Sequence, residues 1–447
     1  MLHKRLAQLE QNGTPIKVGI VGTGRMGTGV VCQISQMRGM RTVAAADVAI
    51  DRAIHTYTMN GVPREDVVVT EDPAVAADAI ARGKVVATTS GQLVCQAPVD
   101  VVVEATGLPE VGARNAYDAI GARKHVVMLN VETDVVVGPI LKYLADRAGV
   151  VYGVTAGDEP GVIMGLYEWA AALGFKIVCA GKGPMRPIDW NANPETLADE
   201  ARRQSLNPKM LASFRDGSKH NIEMAAVANG TGLAPDVRGM HVPTVGPREL
   251  AKVFCLKSDG GILDREGVVE LAAPFTDVTG ATDWAHSVTP GVFVVVSTPH
   301  SQIRADLKYL VQGDGPTYAF WRPYHLCSIE TPWSVARAVL YGEATLTPIG
   351  APVVDVVTVA KKPLQPGDVL DGSGGFAVTG QIERAEVARR ERLLPIGLAY
   401  GCSMTTRAER GQPITFDMVQ IDPKSFVFQL RQLQDSTFGT DAMSSRG

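Results

Sequence analysis

The 447-residue sequence predicts an α/β protein whose first domain is a doubly wound parallel sheet. Three observations carry that reading. Residues 18–21 (VGIV), 99–105 (VDVVVEA) and 125–129 (HVVML) are short apolar runs, as in strands covered on both faces. Stretches with helical periodicity separate such runs, at 26–37, 73–82 and 111–121. The first run also passes directly into Gly22-Thr23-Gly24-Arg25-Met26-Gly27 and then into a helix.

That turn has a specific physical logic. Gly22 supplies the freedom a tight strand-to-helix turn needs. Gly24 lets a pyrophosphate approach the backbone, and Gly27 lets helix and strand pack closely. The helix N-terminus offers unpaired N–H groups to phosphate. A second run, 42–46, ends in Asp47, where a ribose-binding acid falls. Thr106, Gly107 and Asn130 follow later strands, on the edge where open α/β sheets bind ligands. Together with Arg25, Met26 and Arg52, these residues point to a nicotinamide dinucleotide. Asp47 repels a 2′-phosphate and favours NAD(H), whereas Arg25 and Arg52 offset it.

The remaining elements follow in order. Leu2, Leu6 and Leu9 space a short N-terminal helix, and 66–70 reads as a strand. From residue 150 the pattern becomes strand (150–154), helix (163–173) and strand (176–180), the last ending in Gly181-Lys182-Gly183. Residues 185–215 read as a long ordered loop or lid. A helix is expected over 216–229, strands over 292–297 and 304–311, and a helix over 334–342 packing back on the first domain. Beyond residue 350, short apolar runs broken by Pro-Gly turns indicate a small β domain. The expected domains are 1–155, 156–349 and 350–430, with 431–447 as a polar tail.

Composition narrows the function classes. Lys+Arg 43 against Asp+Glu 47 leaves a net charge of −4, so there is no electrostatic case for nucleic acid or an anionic membrane. Neither a signal peptide nor a membrane-spanning run is read, which implies a cytoplasmic protein. The six cysteines are scattered without CxxC spacing and read as small buried hydrophobes. Glu132, Asp134, Asp158 and Glu159 offer oxygen ligands but no metal signature. No metal site is assigned, and a need for a divalent ion is left open.

Candidate chemistry lies in the middle domain. Lys182 at a strand end can donate to a carbonyl or bind an anion. Asp216, Lys219 and Glu223 fall at i, i+3 and i+7 of the expected helix, on one face. His325, in the run Arg322-Pro323-Tyr324-His325, is a candidate proton donor, with a satisfied core histidine as the plainer reading.

The order IVGTGRMG, VEATG, LNVETD, GDEPG, AGKG, DGSKHNIEMAAVAN, RPYHLCSIETP, KKPLQPGDVL resembles one family over nearly the full length. It is similar to the homoserine-dehydrogenase-like oxidoreductases with a C-terminal SAF domain, and among them to the DXR-like (DRL) reductoisomerase branch. The resemblance implies a Rossmann domain, an α/β catalytic and dimerisation domain, a β-clip SAF-like module and a homodimer. Lys219 and Asp216 resemble in character the lysine and aspartate of homoserine dehydrogenases. The DRL branch implies NADPH and conversion of 1-deoxy-D-xylulose 5-phosphate to 2-C-methyl-D-erythritol 4-phosphate, which tips the cofactor slightly toward NADP(H). The expected partner is a small anionic polyhydroxylated substrate. The alternatives are a sugar-acid or hydroxy-acid dehydrogenase or oxidoisomerase, and a non-catalytic nucleotide-sensing or carbohydrate-binding protein.

Overall fold

The computed structural model describes residues 1–204 and 206–439. Contacts divide these residues into two units, each described by itself. The first holds Met1–Asp158, Leu326–Gly350 and Lys424–Thr437, and the second holds Glu159–His325 and Ala351–Pro423.

In the first unit, seven strands form one sheet: β1 (Ile16–Val21), β2 (Met40–Ala46), β3 (Val67–Val69), β4 (Val85–Thr88), β5 (Val101–Glu104), β6 (His125–Met128) and β7 (Tyr152–Val154). The spatial order is β3-β4-β2-β1-β5-β6-β7, and every neighbouring pair is parallel. Val101, Val102 and Val103 are completely buried, as the continuous apolar run requires of a strand covered on both faces. The order changes direction between β1 and β5, which opens a crevice beyond their carboxyl ends. This is a Rossmann-type sheet. β4 is too short and too plainly bounded to stand out in the sequence.

The helix Cys327–Tyr341 packs on Arg25–Ser35, so closely that a Cβ on Gly29 would lie 2.6 Å from the Ser328 hydroxyl. The stretch expected as tail behaves differently. Phe426–Thr437 is a helix against Pro109–Gly121 and Val131–Ala148. Its Gln434 amide accepts from the Ile140 N–H and donates to the Val136 carbonyl, both at 3.2 Å, beside Pro139. Glu110 accepts from the N–H groups of Phe426 and Val427 and so holds the start of this helix. Burial of Val427, Phe428 and Leu430 outweighs the polar composition that suggested a tail. Residues 440–447 of that expectation lie outside the described residues.

The second unit has a five-stranded sheet: β8 (Lys176–Lys182), β9 (Ala234–Pro235), β10 (Val268–Leu271), β11 (Val292–Ser297) and β12 (Thr317–Arg322), in the order β12-β11-β8-β10-β9. β8 is parallel to β10 and antiparallel to β11. Two expectations change here. Ser301–Tyr309 is a helix, capped by His300, and the strand following it is β12. The expected loop over 185–215 contains helices Ala198–Gln204 and Pro208–Arg215, the second capped by the Asn207 side chain with Pro208 at its first position.

Residues beyond 350 supply β13 (Val354–Ala360) paired with β14 (Val378–Arg384), and β15 (Ser403–Met404) paired with β16 (Val419–Gln420), all antiparallel. Helix Ser218–Thr231 joins this β region to the rest of the unit. Ser218 Oγ accepts from the Gly380 N–H, Asn221 Oδ1 from Ile382 N–H, and Asn229 Oδ1 from Val353 and Val354 N–H. Ser218, Asn221 and Asn229 are tolerated on this buried helix because each satisfies backbone N–H groups of the β region.

Candidate functional site

The glycine turn has the geometry that dinucleotide binding requires. Gly22 sits at φ +95°, and a Cβ there would come within 2.8 Å of the Ala105 carbonyl. A Cβ on Gly27 would meet the Gly22 oxygen at 1.9 Å, so strand and helix approach too closely for any side chain. Gly24 is the contrast: a Cβ there would meet no atom within 4 Å. Gly24 is exposed at the start of the helix, so no protein atom blocks a pyrophosphate from approaching its backbone. The residues present fit the group.

The other predicted cofactor residues surround this turn. Thr23 donates to Asp47 Oδ2 through its N–H (2.9 Å) and its hydroxyl (3.1 Å), and Ala49 N–H donates to Oδ1 (2.9 Å). Asp47 is thus buried and already accepts three bonds from the chain. Arg52 lies 4.0 Å from Asp47, with its side chain 66% exposed, and Arg25 and Met26 are exposed at the helix start. Gly107 has φ +70°. Asn130 caps Val131–Ala148 by accepting from Thr133 N–H, and donates to the Thr106 hydroxyl at 3.3 Å. Glu132 and Asp134, weighed as metal ligands, lie buried on that helix. Asp134 accepts from the Tyr152 hydroxyl at 2.9 Å, and burial pushes its carboxyl up to about 7.

In the second unit, Lys182 ends β8 with no exposed surface. Its ammonium donates to Glu159 at 2.6 Å and to Glu223. Burial alone would lower the Lys182 pKa, but the two carboxylates outweigh it and hold the value above the usual lysine range. Burial also opposes ionisation of Glu159, yet Lys182 and His325 pull its carboxyl well below the usual range. Glu223 is likewise lowered. Burial and Glu159 work against its charge, while Lys182, His220 and Lys219 favour it. The cluster is therefore a charged lysine between two ionised glutamates.

Two histidines border it. His325 Nδ1 lies 2.8 Å from the Pro290 carbonyl and Nε2 3.6 Å from Glu159. The first contact makes Nδ1 a donor to that carbonyl and leaves Nε2 facing Glu159. His220 Nδ1 lies 3.7 Å from Glu223, and burial, then Lys182, lowers its pKa, which keeps it neutral.

The structure therefore gathers Lys182, Lys219, Glu223 and His325, and separates Asp216 from them. Asp216 follows helix Pro208–Arg215 and precedes Gly217, whose φ of +89° ends any helical continuity before Ser218. Its carboxylate lies 2.6 Å from the Lys361 ammonium and accepts from Ser218 N–H at 2.8 Å. The shared face read from an i, i+3, i+7 spacing fails because Asp216 is not on that helix. The glycines beside Lys182 are packed against the chain itself. A Cβ on Gly181 would meet the Glu270 carbonyl at 2.3 Å, and one on Gly183 the Thr289 N–H at 2.5 Å, so they admit protein rather than ligand. Sequence reasoning missed Glu159 as the partner of Lys182, and it missed His220. The available signal was the strand-end lysine itself, since a buried ammonium demands a buried counter-charge.

Residues 157–331 match the family model for the catalytic domain of oxidoreductase DRL, a match over less than half of the chain. No curated protein sequence matches the chain. Among solved structures, the chain is similar to a probable dehydrogenase from Thermotoga maritima, with 12% identity and TM-score 0.40, over 75% of this chain and 91% of that one. It is also similar to a putative myo-inositol dehydrogenase from Sinorhizobium meliloti 1021, with 12% identity and TM-score 0.36, over 73% and 90%. A third, GenD2 from gentamicin A biosynthesis in complex with NAD, has 15% identity and TM-score 0.36, over 74% and 89%. The parallel sheet and its glycine turn, rather than these likenesses, establish the dinucleotide-binding fold. With the catalytic-domain match, they make the chain an NAD(P)-dependent oxidoreductase.

Proposed function

We propose that the chain is an NADP(H)-dependent oxidoreductase of a small anionic polyhydroxylated substrate, and in its sharpest form a reductoisomerase of 1-deoxy-D-xylulose 5-phosphate. The observation that carries the class is the tight Gly22–Gly27 turn at the point where the parallel sheet reverses its strand order. The DRL catalytic-domain match supports the sharper form. For the cofactor, Asp47 already spends both carboxylate oxygens on Thr23 and Ala49, and the exposed Arg52 beside it supplies positive charge to a 2′-phosphate. When bound, the nicotinamide supplies or accepts the hydride. Lys182 holds a proton beside Glu159 and Glu223, and His325, with Nε2 3.6 Å from Glu159, is the residue proposed to exchange a proton with the substrate.

One observation favours a second reading, a dehydrogenase or oxidoisomerase of a sugar acid or hydroxy acid. Lys182 is matched by two buried carboxylates, which leaves no unmatched positive charge there for a substrate phosphate. The proposal extends to a cytoplasmic homodimer in which residues 351–423 form an SAF-like module. The test is purified protein with NADPH and 1-deoxy-D-xylulose 5-phosphate. Loss of nicotinamide absorbance with formation of the branched erythritol phosphate is expected. Unchanged NADPH, with sugar acids reducing NAD(P)+ instead, replaces the first reading by the second.

A further inference from the structure

Glu104 is the last residue of β5, paired in register with Val21 of β1 on one side and Met128 of β6 on the other. It therefore stands where the sheet order reverses, immediately below the crevice. It is completely buried, and among the described residues no arginine or lysine forms an ion pair with it. Its Oε1 accepts from the Thr106 hydroxyl at 2.5 Å, the Thr106 N–H at 3.3 Å and the Asn115 amide at 3.3 Å. Thr106 Oγ1 in turn accepts from Asn130 Nδ2. Among the described residues the second oxygen, Oε2, has no hydrogen-bond partner, and the close approach of Gly112 leaves it enclosed. A buried carboxylate with a vacant oxygen is costly and is retained only where its bonds serve a purpose. The segment it holds also forms the wall of the glycine turn, since a Cβ on Gly22 would touch Ala105 and the Thr106 nitrogen.

We propose that Glu104 is the positioning residue of the dinucleotide site. Its ionised carboxylate ties the Thr106 loop, helix Pro109–Gly121 and the Asn130 helix cap into one wall. The inference rests on the dinucleotide reading above and deepens it. Glu104 touches no cofactor itself and acts through Thr106 and Asn130. Burial pushes its carboxyl up to about 7, against the hydrogen bonds that Oε1 accepts from Thr106 and Asn115. The titratable groups around it are Cys95 and the Asp134–Tyr152 pair, all buried and with pKa values raised chiefly by burial. Protonation at the vacant Oε2 leaves Oε1 accepting from Thr106, but without the negative charge that strengthens those bonds. Cofactor affinity should therefore weaken as pH falls through about 7.

Calorimetric titration of NADP+ and NAD+ into the full-length wild type, Glu104→Ala and Glu104→Gln tests this at about pH 6 and about pH 8. Glu104→Ala should bind roughly tenfold more weakly at the higher pH, the scale of one lost positioning bond. Glu104→Gln, which keeps an acceptor oxygen, cannot titrate and mimics the protonated acid, should bind at both pH values about as the wild type does at the lower one. Wild-type affinity in both Glu104→Ala and Glu104→Gln, or a Glu104→Gln profile that follows the wild type's pH dependence, overturns the inference alone. Should Glu104→Ala fail to fold, the Glu104→Gln profile decides. Failure of the wild type to bind either dinucleotide overturns the underlying reading as well.

Discussion

Replacing Lys182 by methionine removes the one cation between two buried carboxylates and keeps most of the apolar stem. In the wild type the Lys182–Glu159 contact is 2.6 Å, an attraction of roughly 6 kcal/mol at an effective dielectric constant of 20, much of it cancelled by desolvation. Removing one partner exposes the uncancelled part. Glu159 and Glu223 are left facing each other with side chains 9% and 1% exposed, and the expected loss is about 3–5 kcal/mol at neutral pH. The sign with pH follows. In the wild type both carboxyls are depressed, so their stabilisation is present above about pH 4.5 and is lost as pH falls through the lower folded values. In Lys182→Met the same carboxyls lose their counter-ion and are pushed up. The variant should regain stability as pH falls from about 8 to about 5, while the wild type stays level. Urea unfolding at the two pH values measures this, with Lys182→Met/Glu223→Gln as companion. The double variant removes the repulsion and should recover most of the stability but no activity. A single variant as stable as the wild type, with no pH trend, refutes the account of the charged cluster.

Other perturbations separate stability from binding. Gly27→Ala forces a Cβ to 1.9 Å from the Gly22 carbonyl and should lower the thermal midpoint of the protein. Gly24→Ala meets no protein atom, so it should leave that midpoint alone and weaken dinucleotide binding in calorimetry. Asp134, pushed from 3.8 to about 7 by burial, is stabilising while protonated; that stability is full below about pH 4 and is lost as pH rises through about 7. Asp134→Asn should remove up to about 4 kcal/mol of this slope in urea unfolding. Asp216→Asn leaves the Lys361 ammonium buried beside a neutral amide. It should destabilise the fold by about 3 kcal/mol while leaving dinucleotide affinity unchanged.

The parts legible from residues alone were those governed by local rules. The turn at Gly22–Gly27 is one, because backbone freedom and close packing depend on atoms within a few residues and one neighbouring strand. The buried strands are another, since Val101–Val103 cannot be solvated on either face. The assembly of charged side chains was legible only in fragments. Lys182 and Glu223 were identifiable singly, but Glu159 joins them because β8 carries Lys182 to the start of helix Glu159–Ala172, which no short-range spacing encodes. His325 joins through a turn 143 positions from Lys182 in the sequence. Asp216 shows the converse error: a regular spacing crossed a helix boundary at Gly217, and the side chain went to Lys361 in the C-terminal β region instead. Local sequence thus determined which backbone segments form and that a dinucleotide turn exists. The tertiary structure decided which charges meet, because buried charges pair with whatever the long-range packing brings within about 3 Å, whatever their separation along the chain.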